Sequence, residues 1–384
     1  MNTTKATVEG GVKGNRAMAN TMKTQGEERA VTGPAPVRRW WSGWPDWAGY
    51  LAAVWSLLYG AAGVYWALGG DGYPFAQADP EHSSGSLLEP SRAAVVAPVI
   101  AVVGLVGAAV GLMMARRRVS TGFHRLVWAF GWTQAVVLTL ILPDYTLLAL
   151  VIFAPLFVVF AFTGVPGQQD GLGDILFWHR NNLIILFVGG VLWAAATLVH
   201  QRRARGLCVR CGRGGRAAAW TSPESAARWG RRAVLIAVLS SVPYEVTRLA
   251  WYFGYPLGIT DAFLKDMQDT PGMLEIGLGL GVASAAGALL THGLVHRWGE
   301  VWPRWVWFKA GRPVALATAI VPALLVSLVL IPGGVMMVRG GNQPEGWGTN
   351  YPAMPWILWG IALAAATLAY YLRRRGACRY CARG

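Results

Sequence analysis

Charged residues are scarce in this chain: only 14% of its 384 residues are Asp, Glu, Lys or Arg. Because soluble globular domains carry about 25% charged residues, this composition excludes an ordinary soluble fold. Apolar residues make up 54% of the chain, and the mean hydropathy is positive, at +0.39. These values are typical of a polytopic membrane protein, which has the lipid bilayer as its main partner.

Acidic residues are the scarcer of the two charge types, since the chain contains 19 Asp and Glu but 34 Lys and Arg, which gives a net charge of +15. In a soluble protein this excess would suggest nucleic-acid binding. Here the cations cluster in short connections beside the apolar stretches, which is the positive-inside pattern of membrane proteins. We therefore expect no nucleic-acid partner.

Two other features are missing from the sequence. Residues 1–37 contain no apolar core of the kind found in a secretory signal peptide, and their polar composition predicts a disordered cytoplasmic tail. No catalytic signature occurs anywhere in the chain. This absence favours a non-enzymatic function.

Nine apolar stretches have about the 20 residues that a helix needs to cross the hydrocarbon core of a bilayer. They are residues 48–68, 93–115, 126–142, 145–165, 183–199, 233–253, 274–295, 314–338 and 355–372. The pattern predicts an all-α, polytopic membrane helix bundle.

The arginines predict which connections are cytoplasmic. Residues 116–125 and 202–216 are rich in arginine, whereas residues 69–91 hold four acidic residues and no Lys or Arg, and so belong outside. An even number of crossings must separate the two basic connections, yet three apolar stretches lie between them. We expect residues 145–165 to be the exception, as a re-entrant or interfacial segment. About eight transmembrane helices then remain, with both termini cytoplasmic.

The chain carries an internal duplication. Residues 194–213 contain Ala-Ala-Ala-Thr-Leu, an arginine cluster and a Cys-x-x-Cys pair, and residues 364–383 repeat these in the same order. The pattern predicts two tandem four-helix repeats, residues 38–215 and 216–384, related by an axis along the membrane normal. The alternative is nine full spans with an inverted second half, which would place one of the cysteine connections outside.

All four cysteines lie in the duplicated segments, as the pairs Cys208/Cys211 and Cys378/Cys381. A two-residue gap lets both thiolates of a pair reach one tetrahedral ion, and four-cysteine sites are structural zinc sites. The axis between the repeats would bring both pairs together at the cytoplasmic face. Two alternatives stay open: a redox dithiol, as in membrane oxidoreductases that pass electrons from thiols to quinones, and cysteines with no bound partner.

Ionisable residues inside apolar stretches are candidates for function. Glu245 and Arg248 lie three residues apart on one helix face, so they are able to pair, and Tyr244 precedes them. Tyr59 takes the place of Tyr244 in the first repeat, and Gln134 lies near the middle of the third stretch. We expect these residues to bind a ligand from the outer side. The alternative is that Arg248 only reaches toward the headgroups and Gln134 only joins helices.

Three runs of sequence resemble an uncharacterised family of multi-pass membrane proteins from high-GC actinobacteria. They are Trp-Ser-Leu-Leu-Tyr-Gly-Ala-Ala-Gly-Val-Tyr-Trp-Ala-Leu-Gly-Gly at 55–70, Arg-Gly-Leu-Cys-Val-Arg-Cys-Gly-Arg at 205–213 and Tyr-Glu-Val-Thr-Arg-Leu-Ala-Trp at 244–251. The likeness covers most of the chain after residue 40. It implies a plasma-membrane location and no particular activity or catalytic residues.

The combined prediction is a non-enzymatic plasma-membrane protein with a structural zinc site. It would transport or bind a small or lipid-like ligand, or serve as a scaffold whose cytoplasmic face recruits a protein partner. The enzymatic alternative is a membrane thiol-quinone oxidoreductase that uses the cysteine pairs.

Overall fold

The computed structural model describes residues 43–76, 86–144, 146–148, 150–151, 177–215, 218–304 and 306–383. This part of the chain is helical and contains no β-strand, so the predicted helical membrane bundle is confirmed. The predicted N-terminal tail, residues 1–37, lies outside the described residues, as does most of the predicted non-crossing segment, residues 145–165.

The helices are α1 (Trp44–Ala67), α2 (Ala93–Ala115), α3 (His124–Val136), α4 (Trp178–Ala204), α5 (Pro223–Tyr252), α6 (Asp261–Asp269), α7 (Met273–His292), α8 (Leu316–Gly340) and α9 (Trp356–Arg374). Within the described part, seven helical segments are long and apolar enough to cross a membrane, namely all of these except α3 and α6. A π-helix, Val137–Ile141, extends α3 directly. The combined segment covers the third predicted span.

Local sequence accounts for several helix ends. Ser222 caps the first turn of α5, where Pro223 occupies a position that needs no backbone donor. Thr260 caps α6 in the same way. Gly206 and Gly254 follow α4 and α5 with φ of +64° and +82°. This left-handed conformation strongly favours glycine after a helix.

The first half of the molecule, α1 to α4, is joined by close contacts of small residues and by buried hydrogen bonds. A Cβ on Gly104 of α2 would overlap the backbone of Gly60 of α1, a kind of approach that small residues allow between membrane helices. The indole of Trp193 on α4 donates to the hydroxyl of Ser56 on α1 at 3.0 Å. Helix α3 packs against α4. The first helix therefore touches the second and the fourth, and the third touches the fourth.

The second half, α5 to α9, has the same neighbour relations among its long helices. Helix α5 packs against α7 and α9, and α8 packs against α9. The hydroxyl of Ser284 on α7 donates to the Glu245 carboxylate on α5 at 3.0 Å, and Ser327 of α8 donates to the Gly360 carbonyl of α9 at 2.7 Å. The additional helix α6 lies in the connection between α5 and α7.

The described start of the predicted non-crossing segment is helical and packs against the second half. Asp144 accepts hydrogen bonds from the backbone N–H and the hydroxyl of Thr146, at 2.8 and 2.7 Å, so it caps this turn. Leu148 then lies against Gly333 of α8 and belongs to the same buried core as Trp356. This segment is therefore a direct contact between the two halves.

Candidate functional site

The four cysteines form one cluster. The Sγ atoms of Cys208, Cys211, Cys378 and Cys381 all lie within 4.8 Å of one another, and those of Cys211 and Cys381 are 3.6 Å apart. All four are free thiols. The prediction that the two pairs come together is confirmed. Because α4 and α9 lead into the pairs, these helices end on the same side of the molecule, which an inverted second half would not allow.

Both cysteine pairs lie on the same type of turn. The N–H of Cys208 donates to the Arg213 carbonyl at 2.9 Å, and the N–H of Gly212 donates to the Cys208 carbonyl at 2.8 Å. The equivalent bonds of the second turn, made by residues 170 positions later, have the same two lengths. Gly212 has a φ of 73°, and Ala382 at the matching position has a φ of 53°. The two turns are therefore near copies in geometry as well as in sequence.

The first cysteine of each turn has a lowered pKa. The backbone N–H of Cys211 lowers the pKa of the Cys208 thiol to about 6, and the N–H of Tyr380 lowers the pKa of the Cys378 thiol. Burial has the opposite effect on Cys211, whose pKa is raised. Each turn therefore aims backbone donors at its first sulfur, an arrangement that favours the thiolate form required of a metal ligand.

Arginine side chains hold the two turns against each other. One nitrogen of the Arg213 guanidinium donates to the carbonyls of Gly376 and Arg383, at 2.9 and 2.6 Å. The Arg210 guanidinium lies 3.6 Å from the centre of the Tyr380 ring, close enough for a cation–π contact. The cluster is thus supported by contacts that run between the two halves.

The sulfur positions suit a tetrahedral metal ion. Metal–sulfur bonds of about 2.3 Å in a tetrahedron give sulfur–sulfur edges of about 3.8 Å. The separation of 3.6 Å between Cys211 and Cys381 is close to this value, and it is far longer than the bond of about 2.05 Å in a disulfide. Four thiols around one point leave no open position for a substrate, so the set suits a structural ion.

Two cavities of similar size lie inside the two halves. Cavity A, about 400 Å³, is lined by α1, α2, α3 with its π-helical extension, and α4, and its lining includes Tyr59 and Gln134. Cavity B, about 390 Å³, lies among α5, α7, α8 and α9, with Leu148 and Val151 also on its lining, which includes Tyr244 and Arg248. Both linings are mainly apolar. Four of the five predicted ligand-binding residues therefore divide between two cavities, and Glu245 lines neither of them.

Three polar side chains on the α1 side of cavity A are hydrogen-bonded to α4. The Tyr59 hydroxyl donates to the side-chain oxygen of Asn182 at 2.8 Å, and the Trp55 indole donates to the Ile185 carbonyl at 3.1 Å. Ser56 accepts the indole bond from α4 described above. The donors of Tyr59 and Trp55 are therefore satisfied by the protein, while Asn182 Nδ2, which is outside the cavity lining, has no partner among the described residues.

Cavity B differs, because three donors on its lining residues have no partner among the described residues. Arg248 Nη1 and the indole nitrogens of Trp356 and Trp359 are buried and make no hydrogen bond within this part of the chain. The Arg248 guanidinium lies over the rings of Tyr244 and Trp251, at 4.6 and 4.1 Å from their centres. Among the described residues, no Asp or Glu lines the cavity. The lining of cavity B thus includes a cationic side chain and two indoles whose donors are unsatisfied within the described part of the chain, with no carboxylate beside them.

Glu245 does not pair with Arg248 in the described part of the structure. Its carboxylate accepts the hydrogen bond from Ser284 instead, which ties α5 to α7, while Arg248 is stacked on aromatic rings. Glu245 is not part of the cavity lining, although Ser284 is. The spacing of three residues would allow Glu245 and Arg248 to pair, but each side chain makes other contacts in the folded structure.

The two tryptophans of cavity B were not predicted from the sequence. Trp356 and Trp359 are three residues apart and share one face of α9. That spacing was the available signal. It is weak in a chain with 20 tryptophans, because it does not distinguish an indole that packs from one that binds.

No protein-family model, curated protein or solved structure matches the chain. The cysteine cluster and the difference between cavities A and B are therefore the observations that bear on its function.

Proposed function

We propose that this chain is a non-enzymatic integral membrane protein that binds a small or lipid-like anionic ligand in cavity B. A structural zinc ion in the cysteine cluster would hold its two halves together. The observation that carries the ligand site is the group of unpartnered donors on Arg248, Trp356 and Trp359.

The free energy of these donors favours a bound anion. A buried donor without an acceptor costs about 1–3 kcal/mol, and a charged one costs more. A carboxylate or phosphate group has several acceptor oxygens and forms strong, charge-assisted bonds with a guanidinium. The volume of about 390 Å³ falls within the range of about 300–1,000 Å³ that is usual for ligand sites.

The ligand site is tested with octanoate, a short anionic probe, added to the protein purified in a maltoside detergent. We expect octanoate to raise the melting temperature of the native chain and to bind Arg248→Gln at least about tenfold more weakly, because a charge-assisted bond contributes about 1.5–3 kcal/mol. Lys265→Gln, a charge change on exposed α6, is the matched control and should bind octanoate as the native chain does. Equal binding by native protein and Arg248→Gln would reject the site.

The zinc ion is supported by the donor set and by the matching turns. Four thiols within 4.8 Å of one another have the composition of a closed, structural zinc site. Such an ion would bind both halves at once, so its binding free energy would contribute to the folding free energy.

Metal analysis by mass spectrometry, combined with free-thiol counting, tests this assignment. We expect one zinc per native chain and none in Cys208→Ser/Cys378→Ser, together with a lower melting temperature. Tyr380→Phe, which changes the same turn without removing a sulfur, should keep the zinc. A metal-free protein with paired disulfides would instead favour the thiol-quinone oxidoreductase.

We also propose eight spans in two repeats, with the cysteine cluster on the cytoplasmic side of the plasma membrane. The eighth span would be α3 with its π-helical extension, since α3 packs against α4 as α8 packs against α9. The arginine-rich connections support the orientation. A fluorescent protein fused to the C-terminus should fluoresce in intact cells, whereas periplasmic alkaline phosphatase at the same place should be inactive. The reverse pattern would invert the topology.

A further inference from the structure

A third cavity continues from cavity B along the same pair of helices. Cavity C, about 380 Å³, lies between α7 and α8 and extends to Trp302 beyond the end of α7. Gly287 of α7, Val326 of α8 and Trp359 of α9 line both cavity B and cavity C. The two cavities therefore adjoin at these three residues, and together we call them the groove, which lies along α7, α8 and α9.

The groove is long and has its charge at one end. On α8 its lining runs from Thr318 in cavity C to Met337 in cavity B, which corresponds to about 28 Å at 1.5 Å per residue. Among the described residues, no charged side chain lines cavity C, and the hydroxyl of Thr291 is satisfied by the Gly287 carbonyl at 2.8 Å. The unpartnered donor of Arg248 belongs to the cavity B end.

We propose that the ligand is a single-chain anionic amphiphile. Its carboxylate or phosphate group lies against Arg248 and the two indole N–H groups, and its hydrocarbon chain follows the groove into cavity C. This inference rests on the proposed function, because it names the chemical class of the ligand bound in cavity B.

The anionic head group and the hydrocarbon chain of the ligand would contribute to the binding free energy in different ways. A hydrocarbon chain gains little free energy when it moves from lipid to an apolar groove, because both surroundings are apolar. The anionic head therefore decides whether the molecule leaves the bilayer for this site, whereas the shape of the groove decides how many chains, and of what length, can follow.

The experiment compares palmitate with octanoate on variants of α8. Ala323 lines cavity C but not cavity B, so Ala323→Phe should obstruct a long chain and leave room for a short one. Because the added ring would occupy the space of the hydrocarbon chain, we expect palmitate to bind about tenfold more weakly. Octanoate should bind as before, which also shows that the variant is folded. Leu324→Phe, on the lipid-facing side of the same helix and in neither lining, is the matched control.

Each probe is compared between variants in the same detergent, so its partition into micelles cancels. If octanoate binding depends on Arg248 but Ala323→Phe leaves palmitate binding unchanged, the groove inference is wrong and the proposed function stands. If neither probe binds in an Arg248-dependent manner, both are wrong. Hexadecanol, which has the chain without the charge, should not compete with palmitate, and equal competition would also overturn the inference.

Discussion

Cavities A and B have nearly the same volume, about 400 and 390 Å³, and are built from corresponding helices, yet they differ in their hydrogen bonding. In cavity A the Tyr59 hydroxyl bonds to Asn182. In cavity B one nitrogen of the Arg248 guanidinium has no acceptor among the described residues. The two cavities thus have a similar size, whereas, among the described residues, a cationic side chain with an unpartnered donor lines only cavity B.

The contrast begins at two positions of the first helix in each half. When Tyr59 is aligned with Tyr244, Gly60 and Gly63 match Glu245 and Arg248. At Gly63 an added Cβ would lie 2.6 Å from a backbone nitrogen of α2, so α1 and α2 approach each other closely at this glycine. The second half instead places a carboxylate and a guanidinium here. Close helix packing and a charged site are therefore alternative uses of the same positions.

The largest expected effect concerns the contact of α1 with α2 in the first half, compared with the contact of α5 with α7 in the second half. Gly104→Ala should lower the unfolding free energy by about 3 kcal/mol, because its Cβ would overlap the backbone of Gly60 and the helices would have to separate. Ser284→Ala, at the corresponding contact with Glu245, should cost only about 1 kcal/mol, the usual contribution of one hydrogen bond. Thermal unfolding of both variants in one detergent measures the difference. Similar losses of unfolding free energy would show that the glycine contact of α1 with α2 and the hydrogen bond of α5 with α7 do not differ in their contribution to stability.

A smaller effect is expected from the tyrosines at the two cavities. Tyr59→Phe leaves the side-chain oxygen of Asn182, a fully buried residue, without its donor, so the unfolding free energy should fall by about 1–2 kcal/mol. Tyr244→Phe breaks no hydrogen bond within the described part of the chain and should leave stability unchanged without ligand. Equal melting temperatures for the two variants would contradict the distinction between a satisfied and an open cavity.

The smallest expected effect distinguishes the two cysteine turns. Both require a left-handed residue, which is glycine at 212 and alanine at 382. Because a side chain in this conformation costs about 1–2 kcal/mol, Gly212→Ala should destabilise the protein by about 1 kcal/mol, and Ala382→Gly should stabilise it by a similar amount. Melting temperatures at saturating zinc would show the two shifts. Shifts of the same sign would mean that the turns do not share one geometry.

Much of the fold could be predicted from the sequence for a simple reason. A chain in a bilayer must satisfy its backbone hydrogen bonds internally, so long apolar stretches become helices. The duplicated segments also predicted that Cys211 and Cys381 would meet, although they are 170 residues apart. The π-helical geometry within the third predicted span was not predictable, since nothing in residues 137–141 distinguishes a π-helix from an α-helix.

The candidate ligand site was less predictable, because it depends on which donors find acceptors after folding. Glu245 and Arg248 suggested an ion pair by their spacing, but the partner of Glu245 is Ser284, 39 residues further along. The free indoles of Trp356 and Trp359 are recognisable only once their surroundings are known. A sequence shows where polar groups occur along the chain, and unpartnered groups are a property of the packed structure.

The meeting of the two cysteine turns also changes the connectivity of the molecule. With an ion bound, Cys211 and Cys381, which are 170 positions apart, become linked, and the chain between them forms a closed loop whose ends can no longer move apart. The peptide connection between Gly212 and Ser222 then becomes dispensable. A chain cut there would stay together as two fragments, with the ion taking the place of the broken peptide bond.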